Sequence, residues 1–351
     1  MDTPIRVAVL GAGGLGRAAA RLIGQKRELR LVAICDSKGL IASPDGLDCA
    51  RVASGTGELV ASYRTANAQA LVGATSSSRE HHESSDRGEV VACEDSLGAM
   101  VERAGEFDAV LVTLPNMPNA FIPGTVERFV RANSGLVFVD VLKRTSAVER
   151  LLGMHELVRE SEGVVLTGCG ATPGLLTAAA VLAAQSFVEV ERVDIWWGVG
   201  IANWEAYKAT IREDIAHLPG FSVERAKAMS DAEVNAFLDK THGVLELHEM
   251  EHADDILLER VGVVQSREQV TVGGVMDTRH ARKPVSTTMT LTGITFEGKR
   301  ASHRFILGDE TTMAANVLGP ALGYLKRAMW LKAHGIFGVF GSTEFMPMVV
   351  R

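Results

Sequence analysis

Residues 5–16 read IRVAVLGAGGLG and place Gly11, Gly13 and Gly16 in G-x-G-x-x-G register between an apolar run and the alanine-rich stretch RAAARLIGQ. A short apolar run closed by glycine is a buried strand, and the 3.6-residue pattern after it is a helix, so the chain must turn sharply from sheet to helix here. The first glycine permits the turn, the second lets a ligand approach the backbone, and the third lets helix pack on strand. A helix that begins there points unpaired N–H groups at an anion. The next apolar run, LRLVAICD, ends at Asp36, 20 residues after Gly16, where a carboxylate accepts from both hydroxyls of a ribose. A bound dinucleotide is therefore expected, with Gly11, Ala12, Gly13, Gly14, Leu15 and Gly16 at its diphosphate and Asp36, Ser37 and Lys38 at its ribose. Asp36 repels the extra phosphate of NADP, which leans the expectation to NAD. Arg17, Ser37 and Lys38 supply donors that tolerate that phosphate, so the choice between NAD and NADP stays open.

Further apolar runs recur through the first half: EVVACED (89–95), DAVLVTL (108–114), GLVFVDVL (135–142) and GVVLTG (163–168). Amphipathic stretches such as TVERFVRA lie between them, the pattern of βαβ units. The expected fold is α/β, a Rossmann-type doubly wound parallel sheet with a second, α+β domain. At 351 residues the chain is about two domains long. The boundaries expected are 1–186 for the nucleotide domain, with an excursion over 39–88, and 187–308 for a substrate and oligomerisation domain whose strands alternate with period two. Residues 309–351 are expected to form a helix and tail that pack back on the first domain, with Asp309 as N-cap.

Composition narrows the partners. Hydrophobic residues make up 46% and charged residues 23%, an ordinary globular balance. A net charge of −7 argues against nucleic acid, whose affinity comes from phosphate neutralisation by Lys and Arg. The four cysteines show no CxxC spacing, no export signal opens the chain and no long apolar span interrupts it. A reduced, cytoplasmic, membrane-free setting is expected.

Three loops follow strands at the edge where open α/β sheets bind ligands. VTLPNMPN brings Thr113, Leu114, Pro115 and Asn116 to the nicotinamide-side ribose, and DVLKRTS delivers Lys143, a cation able to orient or protonate a carbonyl oxygen or to bind a carboxylate. The third, VVLTGCGATPGLL, is a second glycine-rich turn (Gly168, Gly170, Gly174) ahead of a helix.

The first glycine turn, with LVAICDSKGLIASPDGLD, resembles the NAD(P)-binding half of homoserine dehydrogenases and of the group that includes dihydrodipicolinate reductase. GCGATPGLLTAAA resembles the G-x-x-PG turn of saccharopine dehydrogenase-like enzymes, including carboxynorspermidine and amine dehydrogenases. The resemblance assigns Gly168, Cys169, Gly170, Thr172, Pro173 and Gly174 to the active-site wall beside the nicotinamide, with the backbone N–H groups at the helix start facing an oxyanion or carboxylate. Lys143, Cys169 and Thr172 are the catalytic candidates, Cys169 as a small packing residue rather than a nucleophile. Missing are the homoserine dehydrogenase stretch that carries its catalytic aspartate and lysine and the basic HH motif of dihydrodipicolinate reductase. The resemblance implies an NAD(P)-dependent oxidoreductase acting on the C–N bond of a small amino-acid-like metabolite, as a homo-oligomer. The alternatives are a homoserine-type alcohol or semialdehyde dehydrogenase and a non-catalytic NAD(P) sensor.

His248-Glu249-Met250-Glu251-His252 matches HExxH, but it leaves a β-prone stretch and carries an extra acid, so no metal is expected there. Polar candidates without a motif are Asn203, Trp204, Glu205, Tyr207 and Lys208, the basic group Arg279, His280, Arg282 and Lys283, and Asp309, Thr311 and Glu344.

Overall fold

The computed structural model describes residues 3–65, 89–115, 117–201 and 208–351. IRVAVL forms β1 (Ile5–Leu10) and the alanine-rich stretch α1 (Gly14–Ile23), whose small residues Ala19 and Ala20 let it lie close on the sheet. β2 (Leu29–Asp36) runs parallel to β1, and a hairpin of β3 (Gly39–Ala42) and β4 (Glu89–Ala92) continues the sheet antiparallel. On the other side of β1 lie β5 (Ala109–Val112), β6 (Val137–Asp140) and β7 (Val164–Thr167), all parallel. β13 (Gly338–Gly341), from the tail, joins parallel to β7, and the order across the eight-stranded sheet is β13-β7-β6-β5-β1-β2-β3-β4.

Alternate residues of each strand face opposite cores, which explains the unbroken apolar runs. One core takes Val7, Val9, Leu111 and Val139 against α1 and the long helix α12 (Met313–Ala333). The other takes Ala8, Leu10, Val110 and Phe138 against α3 (Ser96–Glu102), α4 (Phe121–Ala132), α5 (Thr145–Leu152) and α6 (His155–Glu160). A further short helix, α2 (Cys49–Ser54), packs on α1.

After α7 (Leu175–Ala184) the long strand β8 (Phe187–Gly200) opens a mixed five-stranded sheet in the order β12-β11-β8-β10-β9. Its other members are β9 (Val244–Leu247), β10 (Val270–Asp277), β11 (Thr287–Thr295) and β12 (Arg300–Leu307). The period-two alternation buries Val193, Ile195 and Trp197 while Trp196 turns to the other face. α8 (Lys208–Ala216), α9 (Val223–Ala228), α10 (Asp231–Lys240) and α11 (Asp254–Arg260) complete this part. The architecture is thus the expected one, a mainly parallel nucleotide-type sheet with a second mixed sheet.

The N-cap of α12 differs from expectation. Thr312, not Asp309, caps it, its hydroxyl accepting from the Ala315 N–H at 3.1 Å. A cap must lie one residue before the first helical position to reach the third N–H, and Asp309 is three residues too early. No helix among the described residues is long and apolar enough to cross a membrane.

Candidate active site

Because β1, β5, β6 and β7 are parallel neighbours, the residues that follow them emerge on one edge of the sheet: 11–16, 113–115, 141–144 and 168–174. Three strand spacings, about 14 Å, separate the two glycine turns across that edge, a distance that an extended ligand is long enough to cover.

The first turn fits a diphosphate. α1 starts at Gly13 with no side-chain cap and no acid in its first turn, which leaves its N–H groups for a ligand. A Cβ on Gly13 would meet nothing within 4 Å, whereas one on Gly16 would lie 1.8 Å from the Gly11 carbonyl oxygen. Gly13 therefore borders open space and Gly16 serves packing. Asp36 accepts from the Lys38 N–H at 2.8 Å and the Leu59 N–H at 2.7 Å, one on each oxygen, with lone pairs left for hydroxyls. Beside it a cavity of about 450 Å³ is lined by Ser37, Lys38, Ala92, Cys93 and Glu94. Arg17 is not the phosphate donor its position suggested. Its guanidinium binds the carbonyls of Val52 and Gly57 and the Ser62 hydroxyl, at 2.8, 2.9 and 3.2 Å.

The middle loop differs from expectation too. The buried Thr113 hydroxyl donates toward the carbonyls of Leu10 and Gly11, at 3.1 and 3.0 Å, and so braces the first turn instead of facing a ribose. Leu114 packs against a core and Pro115 is exposed. Asn116 lies outside the described residues, as do Asn203, Trp204, Glu205 and Tyr207.

The second turn is closed by its own hydrogen bonds. Gly174 N–H donates to Thr177 Oγ1 at 2.7 Å, and the N–H groups of Leu175 and Leu176 donate to the carbonyls of Gly170 and Ala171, both at 2.9 Å. Those helix-start groups are thereby spent, and the expectation that they face an oxyanion fails. Cys169 is fully buried, and burial pushes its thiol well above the usual range, so it packs and does not attack. The Thr172 hydroxyl donates to Asp254 at 2.8 Å, and Pro173, in a cis peptide, is buried. The turn is a rigid wall.

Lys143 lies on this edge, in the loop after β6. Its ammonium binds Asp214 on α8 at 3.1 Å; Asp214 is 1% exposed, whereas a quarter of the Lys143 side chain reaches solvent. Burial works against the cation, but Asp214 and Glu213 outweigh it and hold the lysine above its usual pKa. Next to it Arg144 binds Glu213 at 2.7 Å and Asn119 at 3.0 Å. Two ion pairs thus join the loop after β6 to α8.

Sequence reasoning missed the buried acids. Asp140, at the end of β6, accepts on one oxygen from Leu142 N–H, Thr167 Oγ1 and Gly168 N–H at 3.0, 3.1 and 2.9 Å, tying the Lys143 loop to the second turn. Burial raises its pKa to about 6 against the pull of those donors. An acid whose folded pKa exceeds its unfolded value stabilises the fold fully below about 4, and that contribution is lost as pH rises through 6, to the extent of roughly 1–3 kcal/mol. Asp140→Asn keeps an acceptor for all three donors and cannot ionise. Its melting temperature relative to the natural protein is expected to climb between pH 4 and 7; a falling difference would show that the carboxylate is favoured in its charged form. The only sequence signal was an acid inside an apolar strand, FVDV.

Other candidates do not join the site. The HExxH stretch is not helical: His248 pairs with Glu246 at 3.1 Å and lies tilted against the Trp196 ring, while His252 is buried on Asp254. Arg279 pairs with Asp239, His280 with Asp277, and Lys208 with Asp231. Lys283 binds the Gly308 carbonyl and Thr311, and Glu344 binds Arg260 and the Gly341 N–H.

Comparison with known proteins places this geometry. No family model matches the chain. Among solved structures, Corynebacterium glutamicum DAP dehydrogenase in complex with DAP (C. glutamicum) aligns with a TM-score of 0.54 at 17% identity, over 97% of this chain and 94% of that one. An engineered D-amino acid dehydrogenase bound to NADP+ aligns with a TM-score of 0.53 at 15% identity over the same shares. These likenesses show the fold, that of NAD(P)-binding enzymes. A curated relative from Haloferax mediterranei, (S)-8-amino-7-oxononanoate synthase BioU, is 44% identical over 349 residues, 98% of this chain and 99% of the relative. That match overturns the expected saccharopine dehydrogenase-like chemistry on a C–N bond, and with it the homoserine-type and sensor alternatives. The glycine–proline turn that carried the expectation is a backbone device which one fold sets beside many chemistries. With 44% of its residues shared from end to end, the chain is an enzyme and belongs to the BioU family of (S)-8-amino-7-oxononanoate synthases.

Proposed function

We propose that this chain is an (S)-8-amino-7-oxononanoate synthase that uses NAD, with Lys143 as the group that engages the ketone. The end-to-end identity to the Haloferax protein carries the reading. The compound in that name is a nine-carbon acid with a ketone at C7 beside an amine at C8. A partly exposed ammonium on the ligand-binding edge of the sheet suits that ketone: charged, Lys143 donates a hydrogen bond to the carbonyl oxygen. After passing a proton to Asp214 or to water, its amine adds to the carbonyl carbon. Loss of water then leaves an imine between the lysine and C7 of that compound, the ordinary chemistry of lysine with ketones.

The dinucleotide, when bound, supplies hydride chemistry. The protein's part is to hold its diphosphate on α1 and its ribose on Asp36. Asp36 and Glu94 set two carboxylates at the adenosine end, and Arg17 is committed to backbone carbonyls. That favours NAD over NADP.

Incubation with 8-amino-7-oxononanoate and borohydride, followed by peptide mass spectrometry, is expected to show a reduced adduct on the peptide containing Lys143. NADH is expected to bind at least tenfold more tightly than NADPH in a fluorescence titration. No adduct and no protection of Lys143 from amine-reactive reagents by the compound would refute the proposed role of Lys143, and equal binding of the two dinucleotides would refute the NAD preference.

A further inference from the structure

The stretch Glu251-His252-Ala253-Asp254-Asp255 has no part in the chemistry above, yet Glu251, Ala253, Asp254 and Asp255 are each bonded to one side of the cleft or the other, and His252 is bonded to Asp254. Asp254 is fully buried, and its carboxylate takes three side-chain hydrogen bonds. Oδ1 accepts from Thr177 Oγ1 at 2.9 Å; Oδ2 accepts from Thr172 Oγ1 at 2.8 Å and from His252 Nδ1 at 2.5 Å. Thr177 in turn accepts from the Gly174 N–H, so the carboxylate anchors both ends of the second turn. On the opposite flank the Ala253 N–H donates to the carbonyl of Lys143 itself at 2.7 Å. Glu251 accepts from Ser146 Oγ at 3.1 Å and Asp255 from Thr145 Oγ1 at 3.2 Å, the second and first helical residues after that loop.

A carboxylate only accepts, so three donors converging on it define one arrangement of the groups that carry them. Buried and fully satisfied, such a network specifies geometry strongly, because any rearrangement strands a donor away from water. We infer that Asp254 is a positioning residue of the cleft: with the Ala253 backbone beside it, it joins the Thr172–Pro173 turn to the Lys143 loop, so that this buried carboxylate, together with Asp140 at the end of β6, sets the separation of the lysine from the opposite wall. This rests on the reading that Lys143 and that turn border the substrate. Asp254 touches no reacting atom, and its effect passes through Thr172, His252 and the Lys143 backbone.

Asp254→Asn keeps shape and volume but replaces one acceptor oxygen by an NH₂ donor, which leaves Thr172 and His252 together, or else Thr177, without an acceptor. Hydrogen exchange followed by mass spectrometry reads the coupling without substrate. Exchange is expected to rise at least tenfold in 168–177 and in 141–146 together, and nitrogen NMR is expected to show His252 losing its Nδ1–H tautomer. In an assay of NADH-dependent turnover, the rate is expected to fall on the order of 100-fold, with the KM for NADH unchanged because the first turn is untouched. Thr172→Val, which spares the His252–Asp254 pair, is expected to loosen 168–177 alone, and it serves as the test should Asp254→Asn fail to fold: loosening of both segments in Thr172→Val, or of only one in Asp254→Asn, overturns the proposal. Turnover of Asp254→Asn within threefold of the natural protein also overturns it. If the natural protein itself shows no adduct with 8-amino-7-oxononanoate, the proposed role of Lys143 fails while the exchange result still decides the coupling.

Discussion

Lys143→Met is expected to reduce turnover by at least roughly 1,000-fold if the lysine amine bonds to the carbonyl as proposed, since methionine carries no nucleophilic nitrogen. The same change is expected to cost about 3 kcal/mol of stability, because it leaves Asp214, 1% exposed, as a buried acid without its counter-charge. Those two losses have separate causes, and a second substitution divides them. In Lys143→Met/Asp214→Asn the buried charge is gone, so denaturant unfolding is expected to return most of the stability while turnover stays lost. If the double variant recovers activity, or Lys143→Met never loses it, the lysine is structural. Asp214→Asn alone removes the contact that holds the ammonium against burial. Lys143 is then expected to lose its proton at lower pH, seen as faster labelling by an amine-reactive reagent near neutral pH.

The second large effect separates folding from cofactor binding by two glycines three residues apart. Gly16→Ala puts a methyl carbon 1.8 Å from the Gly11 carbonyl oxygen, where only backbone movement relieves the clash. A loss of at least about 2–3 kcal/mol is expected, and much of the protein should be insoluble or unfolded. Gly13→Ala meets nothing within 4 Å and has an ordinary φ of −74°, so its stability without ligand is expected to match the natural protein within about 0.5 kcal/mol. Its methyl group, however, enters the space in front of the α1 N–H groups. NADH should raise the melting temperature of the natural protein by mass action and leave that of Gly13→Ala almost unmoved. Equal shifts in both proteins would mean that the diphosphate sits elsewhere.

Much of this fold was legible because its signals are local. Each parallel strand is a short apolar run with a glycine or a polar loop after it, and both glycine turns announce themselves through backbone geometry that few other residues accept. The position of Lys143 on the ligand edge also follows from local order, since it comes three residues after a parallel strand ends. Its partner did not. Asp214 lies 71 residues away on α8, and Asp254 meets Thr172 across 82 residues; nothing in either neighbourhood distinguishes these acids from surface carboxylates. Arg17 and Thr113 misled for the same reason. Their sequence neighbours suggested a ligand, while carbonyls brought in by folding had already claimed their donors.

The chemistry was less legible than the fold. A glycine–proline turn beside a dinucleotide suggested dehydrogenation of a C–N bond, and only the end-to-end relationship to the Haloferax synthase corrected it. From the residues alone came the strand–turn–helix order, the NAD(P)-binding type of fold and the clustering of the loops after β1, β5, β6 and β7 on one edge, because each depends on contacts within a few residues. Tertiary structure alone decided which donors remain free, which acid balances Lys143, and that Asp140 and Asp254 bind the two walls together, because a buried charge takes its meaning from whatever the fold packs against it.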